Sequence, residues 1–241
     1  MKVVKHILAV ILLSTTVPGH AAQTLVLNTA FYAPITSPDQ TGVLDLLYKE
    51  LSHRLGIEIV IQPLPAERAL INANLGIDDG DVCRIAGLDK QYPNLIRVPE
   101  AVMHFQMSVF TRKARFTVSG PDSLKPYDVG IVTGWKILEW NSVGARSVSG
   151  VESGEQLFTM LDKGRIDLAV IERMQGAMLI KQLGLRNIKL LQPPFLEGDW
   201  YLYLNQKHAA LVPVIAAELR KMKLDGTHKR IFDSVLGRYA P

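Results

Sequence analysis

The sequence predicts an α/β fold of two lobes joined by a hinge of two crossover strands. Three observations lead to this class. Short apolar runs alternate with helix-period segments from residue 24 onward, the alternation restarts after a change of composition near residue 112, and two helical segments follow a last strand. Alternation of this kind is typical of βαβ units and of parallel sheets.

Length and composition exclude several classes of protein. The chain has 241 residues, of which 48% are hydrophobic and 21% are charged, and it contains one cysteine. This length allows one large domain or two smaller ones with a buried core, and the composition is wrong for a disordered chain. A single cysteine excludes both an internal disulfide and a cysteine-rich zinc module.

Residues 1–22 predict a cleaved secretion signal. Lys2 and Lys5 precede an apolar run that ends in a small-x-small cleavage pattern. The alternative is a transmembrane anchor, but the stretch 7–17 is much shorter than the roughly 20 apolar residues of a spanning helix. We therefore expect a periplasmic protein, and no lipoprotein because Cys83 lies far from the cleavage point.

The charge balance is ordinary once the signal is removed. Loss of Lys2 and Lys5, with no acid, lowers the net charge from +4 to +2. The remaining chain has no dense run of Lys and Arg interleaved with aromatic residues. Binding of nucleic acid is therefore not expected.

The elements follow from apolar periodicity and from glycine stops. We expect strands at residues 24–28, 57–61, 81–86, 101–111, 128–132, 166–171, 188–191 and 200–204. We expect helices at residues 44–55, 66–75, 134–139, 153–163, 173–182, 209–223 and 227–236. Ser153 and Gln156 are spaced as a capping box.

The break near residue 112 divides these elements into lobes. The two terminal helices must bury their apolar faces, and packing on the first lobe would make that lobe discontinuous. We expect lobe 1 to comprise residues 23–111 plus 198–241 and lobe 2 to comprise residues 112–197. Two lobes joined by two strands can close over a cleft.

Polar residues at the carboxyl ends of strands are candidate ligand contacts, because open parallel sheets bind ligands there. Arg84 is the one charge within an otherwise apolar strand, so it requires an anion or access to water. Pairing with Asp79 or Asp81, or simple exposure, is the structural alternative. Glu172 ends another strand, although an acid there also complements the dipole of the helix that follows.

Residues 133–135, Thr133, Gly134 and Trp135, join a strand to a helix start, where free backbone N–H groups suit a carboxylate. Trp135 is equally suited to packing between lobes. Phe31 and Tyr32 follow the first strand and are either core residues or a stacking surface.

These candidates together suit a ligand that carries both charges, as a free amino acid does. The neighbouring Glu67 and Arg68 are interpreted as a structural charge pair within one helix.

The segments TLVLNTAFYAP, PAERAL, DDGDVCRIAG, YDVGIVTGWKILE and LFTMLDKGRIDLAVIERMQGAML carry a resemblance to a known family. In order and spacing, the chain resembles bacterial periplasmic solute-binding proteins of the polar amino-acid ABC-transporter type, called solute-binding family three. The resemblance covers essentially the whole mature chain.

The resemblance implies a monomeric, periplasmic-binding-protein-like fold that captures a small polar ligand and presents it to a membrane permease, without a cofactor. It implies that Phe31 or Tyr32 covers the ligand and that Glu172, where the family usually has Asp, holds the α-amino group. The turn at residues 133–135 contributes to carboxylate binding. The family's Thr-x-x-Arg motif is absent from GLDKQYPNLIRV, so Arg84 is the candidate substitute.

Two other functions remain open. One is a sensory or accessory binding protein, and the other is a periplasmic dehydratase, which a few relatives of this fold resemble. Glu67, Asp81 and Glu172 are available acids, but no paired-carboxylate or nucleophile constellation is legible. The four mature histidines lack close metal-ligand spacing, so no metal is expected. These histidines are His53, His104, His208 and His228.

Overall fold

The structure of the protein is a computed structural model that describes residues 24–236. The predicted signal segment, residues 1–22, lies outside the described residues. Within the described range, none of the helices is both long enough and apolar enough to cross a membrane.

Nine strands form one mixed sheet, whose main order is β2-β1-β3-β9-β4-β7-β5-β6, with β8 paired to β4. The strands are β1 (Thr24–Thr29), β2 (Glu58–Pro63), β3 (Gly80–Arg84), β4 (Leu95–Thr111), β5 (Asp128–Val132), β6 (Ser147–Val151), β7 (Leu168–Glu172), β8 (Lys189–Leu190) and β9 (Leu196–Asn205).

Seven α-helices and three short 3-10 turns complete the described chain. The helices are α1 (Val43–Leu55), α2 (Ala66–Leu75), α3 (Lys136–Asn141), α4 (Gly154–Asp162), α5 (Arg173–Gln182), α6 (Leu211–Leu224) and α7 (Thr227–Leu236). The 3-10 turns are Leu88–Lys90, Pro121–Leu124 and Gln206–His208.

Helix ends lie close to their predicted positions because local residues determine them. Gly56 and Gly76 end α1 and α2 in the left-handed conformation, with φ of 65° and 74°. Ser153 caps α4 by accepting a hydrogen bond from the Gln156 N–H at 3.3 Å. The Gln156 side chain accepts from the Glu152 N–H, at 3.1 Å, so the reciprocal half of the predicted capping box falls one residue earlier.

The sheet differs from the parallel sheet that the alternation predicts. The strands β2, β1 and β3 are parallel, as are β7, β5 and β6, but β9 and β4 between them run antiparallel to their neighbours. A chain that leaves one lobe along β4 and returns along β9 must run in opposite directions, and this places an antiparallel pair at the centre. The strand β6, which pairs with β5, was not expected from the sequence.

The 17-residue strand β4 belongs to both lobes. Its residues 95–107 pair with β9, while residues 107–111 pair with β7. The register against β9 shifts between Arg97 and Ala101, a stretch that contains Pro99. Proline lacks the N–H that a regular ladder uses, so it is tolerated at such an irregularity. The two parallel groups are thus joined through the central pair.

The terminal helices pack on the first lobe, since α1 contacts both α6 and α7. Arg54 of α1 links the three helices. It donates to Glu50 at 2.7 Å, to Glu218 at 3.3 Å and to Asp225 at 2.7 Å, and its other terminal nitrogen donates to Thr227 at 2.9 Å. The C-terminal segment therefore covers the lobe that the N-terminal segment builds.

Fully buried aliphatic and aromatic side chains fill both lobes and continue between them. Trp200, Phe31 and Trp135, which come from three separate parts of the chain, belong to one continuous hydrophobic cluster. A smaller cluster, which includes Leu70, lies under α2. Burial of this apolar surface provides the main stabilising free energy of the fold.

Close strand packing makes Gly80 intolerant of a side chain. A Cβ at this position would lie 2.2 Å from the Tyr203 carbonyl oxygen, which is backbone and cannot rotate away. We predict that Gly80→Ala lowers the free energy of unfolding by about 2 kcal/mol or more through overpacking. Urea denaturation measures this loss. Gly144→Ala is the control, because its nearest atom is 4.0 Å away, and equal stability of the two variants would contradict the packing described.

Candidate functional site

A small cavity lies between the two lobes. Both lobes contribute to its wall, which is formed by Phe31, Leu70, Cys83, Arg84, Ile85, Leu88, Met107, Gly134, Trp135, Lys136, Ile137 and Trp200. Its volume is about 20 Å³, which is room for about one water molecule. A larger groove of about 270 Å³ lies on the other side of Phe31, between residues 29–32 and 63–65 of the first lobe and residues 152–156 of the second. In this arrangement of the lobes, the inner cavity is too small for a solute of amino-acid size.

The backbone of one lobe touches the other at Gly134. This residue has a φ of 86°, which favours glycine, and a Cβ there would lie 2.5 Å from the Glu67 nitrogen and 2.8 Å from the Ala66 Cβ. The turn of the second lobe therefore packs directly against the start of α2. Glycine is required by both the backbone conformation and the close approach.

Polar contacts reinforce this closed arrangement. The Lys136 Nζ lies 2.6 Å from a Glu67 carboxylate oxygen across the cleft and 3.0 Å from Glu139 within its own lobe. Tyr92 donates a hydrogen bond to the other Glu67 oxygen at 2.9 Å. These acids raise the pKa of Lys136 despite its partial burial, so the ammonium stays charged. At the far side of the cleft, Gln175 donates to the Tyr32 carbonyl at 3.2 Å.

Arg84 is a buried cation in the cavity wall. Its side chain is 7% exposed, and one terminal nitrogen donates to Asp81 at 2.8 Å and to the Ala66 carbonyl at 3.1 Å. Burial raises the pKa of Asp81, and the Arg84 charge offsets part of that rise. The pairing with Asp81 was one of the structural alternatives for Arg84. However, the Arg84 Nε is buried without a hydrogen-bond partner among the described residues.

Three aromatic rings meet at the cavity. The Phe31 ring lies 5.0 Å from the Trp135 ring and 4.5 Å from the Trp200 ring, centroid to centroid. Such tilted pairs are favourable beyond their buried area. The Trp135 Nε1, like the Arg84 Nε, is buried without a partner in the described part of the chain. Phe31 and Trp135 thus pack between the lobes and also line the cavity.

Glu172 lies at the end of β7 and is 1% exposed. Its carboxylate caps α5 by accepting from the Gln175 N–H at 2.9 Å. Burial raises its pKa to about 7, although backbone hydrogen bonds oppose the rise. It is not among the described residues that line the cavity, but its charge acts on Cys83, which does line it.

The other two predicted site residues lie outside the inner cavity wall. Tyr32 is 47% exposed and lines the outer groove. Thr133 is exposed, and its N–H donates to the Val151 carbonyl at 2.9 Å. Phe31, Arg84, Gly134 and Trp135 are therefore the predicted residues that meet at one cavity.

Sequence reasoning missed several residues of the cleft. The expected local pair of Glu67 with Arg68 is replaced by the pair of Glu67 with Lys136, because the fold brings α3 against the start of α2. Trp200 was assigned only to a strand. Trp200 begins the aromatic-rich strand segment WYLYL. The high aromatic content of this segment is the sequence signal that indicates a packed interface.

The histidines take part in separate local contacts. His104 lies beside Asp199 at 3.1 Å, His208 beside Asp79 at 2.6 Å, and the His228 ring lies 2.7 Å from the Val102 carbonyl. Residues 24–236 contain no group of three or more His, Cys, Asp or Glu side chains arranged to hold a metal ion.

Comparisons with known proteins agree with the fold. No protein-family model matches the chain. An uncharacterised protein of Shewanella oneidensis is 26% identical over 193 residues, which are 77% of this chain and 73% of that protein. Among solved structures, an ancestral arginine-binding protein bound to glutamine is similar with a TM-score of 0.75 and 20% identity, over 90% of this chain and all of that one.

A histidine kinase sensor domain with similarity to periplasmic binding proteins is also similar. Its TM-score is 0.78 at 16% identity, and the match covers 90% of this chain and 97% of that domain. The predicted fold class is thereby confirmed. The chain has the two-lobed α/β fold of periplasmic binding proteins.

The ion pair across the cleft predicts how readily the lobes part. Cys83 is the single cysteine of the chain and is buried in the cavity wall, so its alkylation requires separation of the lobes. We predict that Lys136→Met raises the rate of Cys83 alkylation about fivefold, since a partly exposed pair contributes roughly 1 kcal/mol.

Lys125→Met is the matched control, because Lys125 pairs with Asp122 on the exposed surface. The control should react at the wild-type rate. Equal rates for Lys136→Met and the wild type would show that this ion pair does not hold the lobes together.

The raised pKa of Glu172 predicts a dependence of stability on pH. The folded protein holds this proton up to about pH 7, whereas the unfolded chain releases it near 4.5. The contribution of Glu172 to stability therefore falls as pH rises from 4.5 to 7, by on the order of 3 kcal/mol. In urea denaturation, Glu172→Gln should therefore lose less stability than the wild type when the pH is raised from 5 to 7.5.

Glu152→Gln provides the comparison, because Glu152 is exposed. It should retain the difference between pH 5 and pH 7.5 that the wild type shows. The same difference in Glu172→Gln would contradict the assignment of the titration to this buried carboxyl group.

Proposed function

We propose that the protein captures a small polar solute, an amino acid or a related compound, between its lobes and delivers it to the permease of an ABC transporter. The observation that carries this proposal is the cavity between the lobes, whose wall contains the buried Arg84 with an unpartnered Nε. A guanidinium in such a place suits the recognition of a carboxylate. The likeness in fold to amino-acid-binding proteins supports the same function.

Hinge closure is the proposed mechanism. We propose that lobe 1 comprises residues 23–111 and 198–241 and that lobe 2 comprises residues 112–197. The division is supported by the strands β4 and β9, which join the two parallel groups of the sheet. Separation of the lobes admits the solute, and the contacts of Gly134 and Lys136 with α2 form again as they close.

Four predicted residues form the proposed binding wall: Phe31, Arg84, Gly134 and Trp135. Tyr32 covers the outer groove. Glu172 supports this groove, since it holds the first turn of α5, from which Gln175 reaches Tyr32. Thr133 precedes Gly134 in the turn that contributes to the wall. The protein acts in the periplasm as a monomer after removal of residues 1–22.

A sensory role is the second candidate, because the fold is also similar to a histidine kinase sensor domain. The same cleft would serve both roles. In transport the closed form would contact a permease, whereas in signalling it would contact a sensor protein. Neighbouring permease and ATPase genes favour transport, whereas a neighbouring sensor kinase gene favours signalling.

A thermal-shift screen tests the proposed binding. A panel of amino acids, their derivatives and small carboxylates should contain at least one compound that raises the melting temperature. At a concentration 100-fold above Kd, the native state gains about 2.7 kcal/mol, which corresponds to a shift of about 5 °C or more. No shift with any compound, in well-folded protein, would contradict binding of such solutes.

The double variant Asp81→Asn with Arg84→Gln removes both members of the buried pair and should abolish the shift. Asp122→Asn with Lys125→Gln is the matched control, because this exposed pair has the same spacing of three residues. The control should keep the full shift. A shift that survives in the Arg84 variant would exclude Arg84 from the site.

A further inference from the structure

The cavity wall contains two buried hydrogen-bond donors, one from each lobe, that have no partner among residues 24–236. The Arg84 Nε comes from the end of β3, and the Trp135 Nε1 comes from the turn after β5. A buried donor left unpaired costs about 1–3 kcal/mol, and such groups are rare in native proteins. Arg84 and Trp135 both line the same cavity, so a ligand bound there lies next to both residues.

The acceptors beside Arg84 are already engaged. Its terminal nitrogen donates to the Asp81 carboxylate and to the Ala66 carbonyl, which leaves the Nε–H for another acceptor. Arg84 is paired with Asp81, which is fully buried and is not among the described residues that line the cavity, so the guanidinium is the member of this pair at the wall. A carboxylate suits this position, since it accepts several hydrogen bonds and carries the opposite charge.

The wall as described offers no comparable anionic partner for a ligand's ammonium group. None of the described residues that line the cavity is Asp or Glu. Its second cation, Lys136, is held by Glu67 and Glu139, so those two acids are engaged as well. A ligand ammonium buried against this wall would lose its hydration without gaining an anionic partner, which is strongly unfavourable.

Glu172 is the predicted partner for a ligand ammonium, but its contacts show that its carboxylate caps α5 instead. Its carboxylate accepts the Gln175 N–H and caps α5, and the residue is 1% exposed. Burial also raises its pKa to about 7, although backbone hydrogen bonds and the Arg173 charge oppose the rise, and this weakens it further as a partner for an ammonium near neutral pH.

The rest of the wall is apolar and aromatic. Phe31 and Trp200 contribute ring surfaces, and Leu70, Met107 and Ile137 contribute aliphatic or thioether surface. Such a wall favours a ligand with an apolar body, because burial of that body removes apolar area from water.

We propose that the cleft binds a small organic carboxylate that has an apolar body and lacks an ammonium group. The carboxylate accepts hydrogen bonds from the Arg84 Nε–H and the Trp135 Nε1–H, and the apolar body packs against the Phe31 and Trp200 rings. This inference rests on the proposed binding function and names the class of its ligand.

Matched pairs of compounds test the ligand class by isothermal titration calorimetry on the mature protein. In one pair, 3-phenylpropanoate and L-phenylalanine differ only in the α-ammonium group. In the other, 4-methylpentanoate and L-leucine differ in the same way. We expect at least one acid to bind tenfold or more tightly than its amino-acid partner.

The other outcomes separate the two proposals. Equal or tighter binding of the amino acids would overturn the ligand class and leave the binding function in place. Binding of other amino acids, with none of these four compounds bound, would do the same. A lack of binding by these four and by the whole thermal-shift panel would overturn both proposals.

The variant Trp135→Phe tests the second donor, since it keeps an aromatic ring and removes the Nε1–H. It should lower the affinity for the bound acid about tenfold, because a hydrogen bond to a charged group is lost. A single cooperative unfolding transition of the free variant would show that it is folded. Trp140→Phe is the control, because Trp140 is 44% exposed and does not belong to the cavity wall as described. Unchanged affinity in Trp135→Phe, or the same loss in both variants, would overturn the role of this donor.

Discussion

The antiparallel pairing of β4 with β9 is the constraint on which both lobes depend. The group β2-β1-β3 reaches the rest of the sheet through β9, and the group β7-β5-β6 reaches it through β4. Each parallel group has its own covering helices, so its internal hydrogen bonds need not change when the lobes move. In the proposed hinge closure, bending of these two strands would absorb the rotation of one lobe against the other. The cavity lies beside this pair, with Met107 of β4 and Trp200 of β9 in its wall.

Burial of charge gives the cleft its chemical character. The pair of Arg84 with Asp81 is almost fully removed from water, and such a pair stabilises a fold less than its Coulomb attraction suggests, because both ions lose hydration. A well-packed apolar pair is often as stable. Retention of a guanidinium at the wall of a cavity is therefore better explained by recognition than by stability. The proposed carboxylate completes the hydrogen bonding that Asp81 and Ala66 leave unfinished.

Local signals made the helices predictable, whereas contacts between distant segments were not. Gly56 and Gly76 end their helices through their own backbone conformation, so sequence alone places those ends. The strand β6 has the sequence SVSGV, which is weak in strand-forming residues, and its ladder with β5 holds it in place. Among the site residues, Arg84 was found because a charge interrupts an apolar strand. The partner of Glu67 was predicted wrongly because Lys136 lies 69 residues away in the sequence. No local sequence pattern indicates a pair at that separation.

The small size of Gly134 affects how closely the two lobes approach, and therefore the affinity for a solute between them. The distance to which the lobes approach is set where this residue meets the backbone of α2. A larger residue there would hold the lobes apart, and it would lower the fraction of molecules that reach the closed form. Apparent affinity falls in proportion to that fraction. In the proposed binding function, the size of residue 134 would therefore set the strength of capture, whereas the donors of Arg84 and Trp135 would set the choice of ligand.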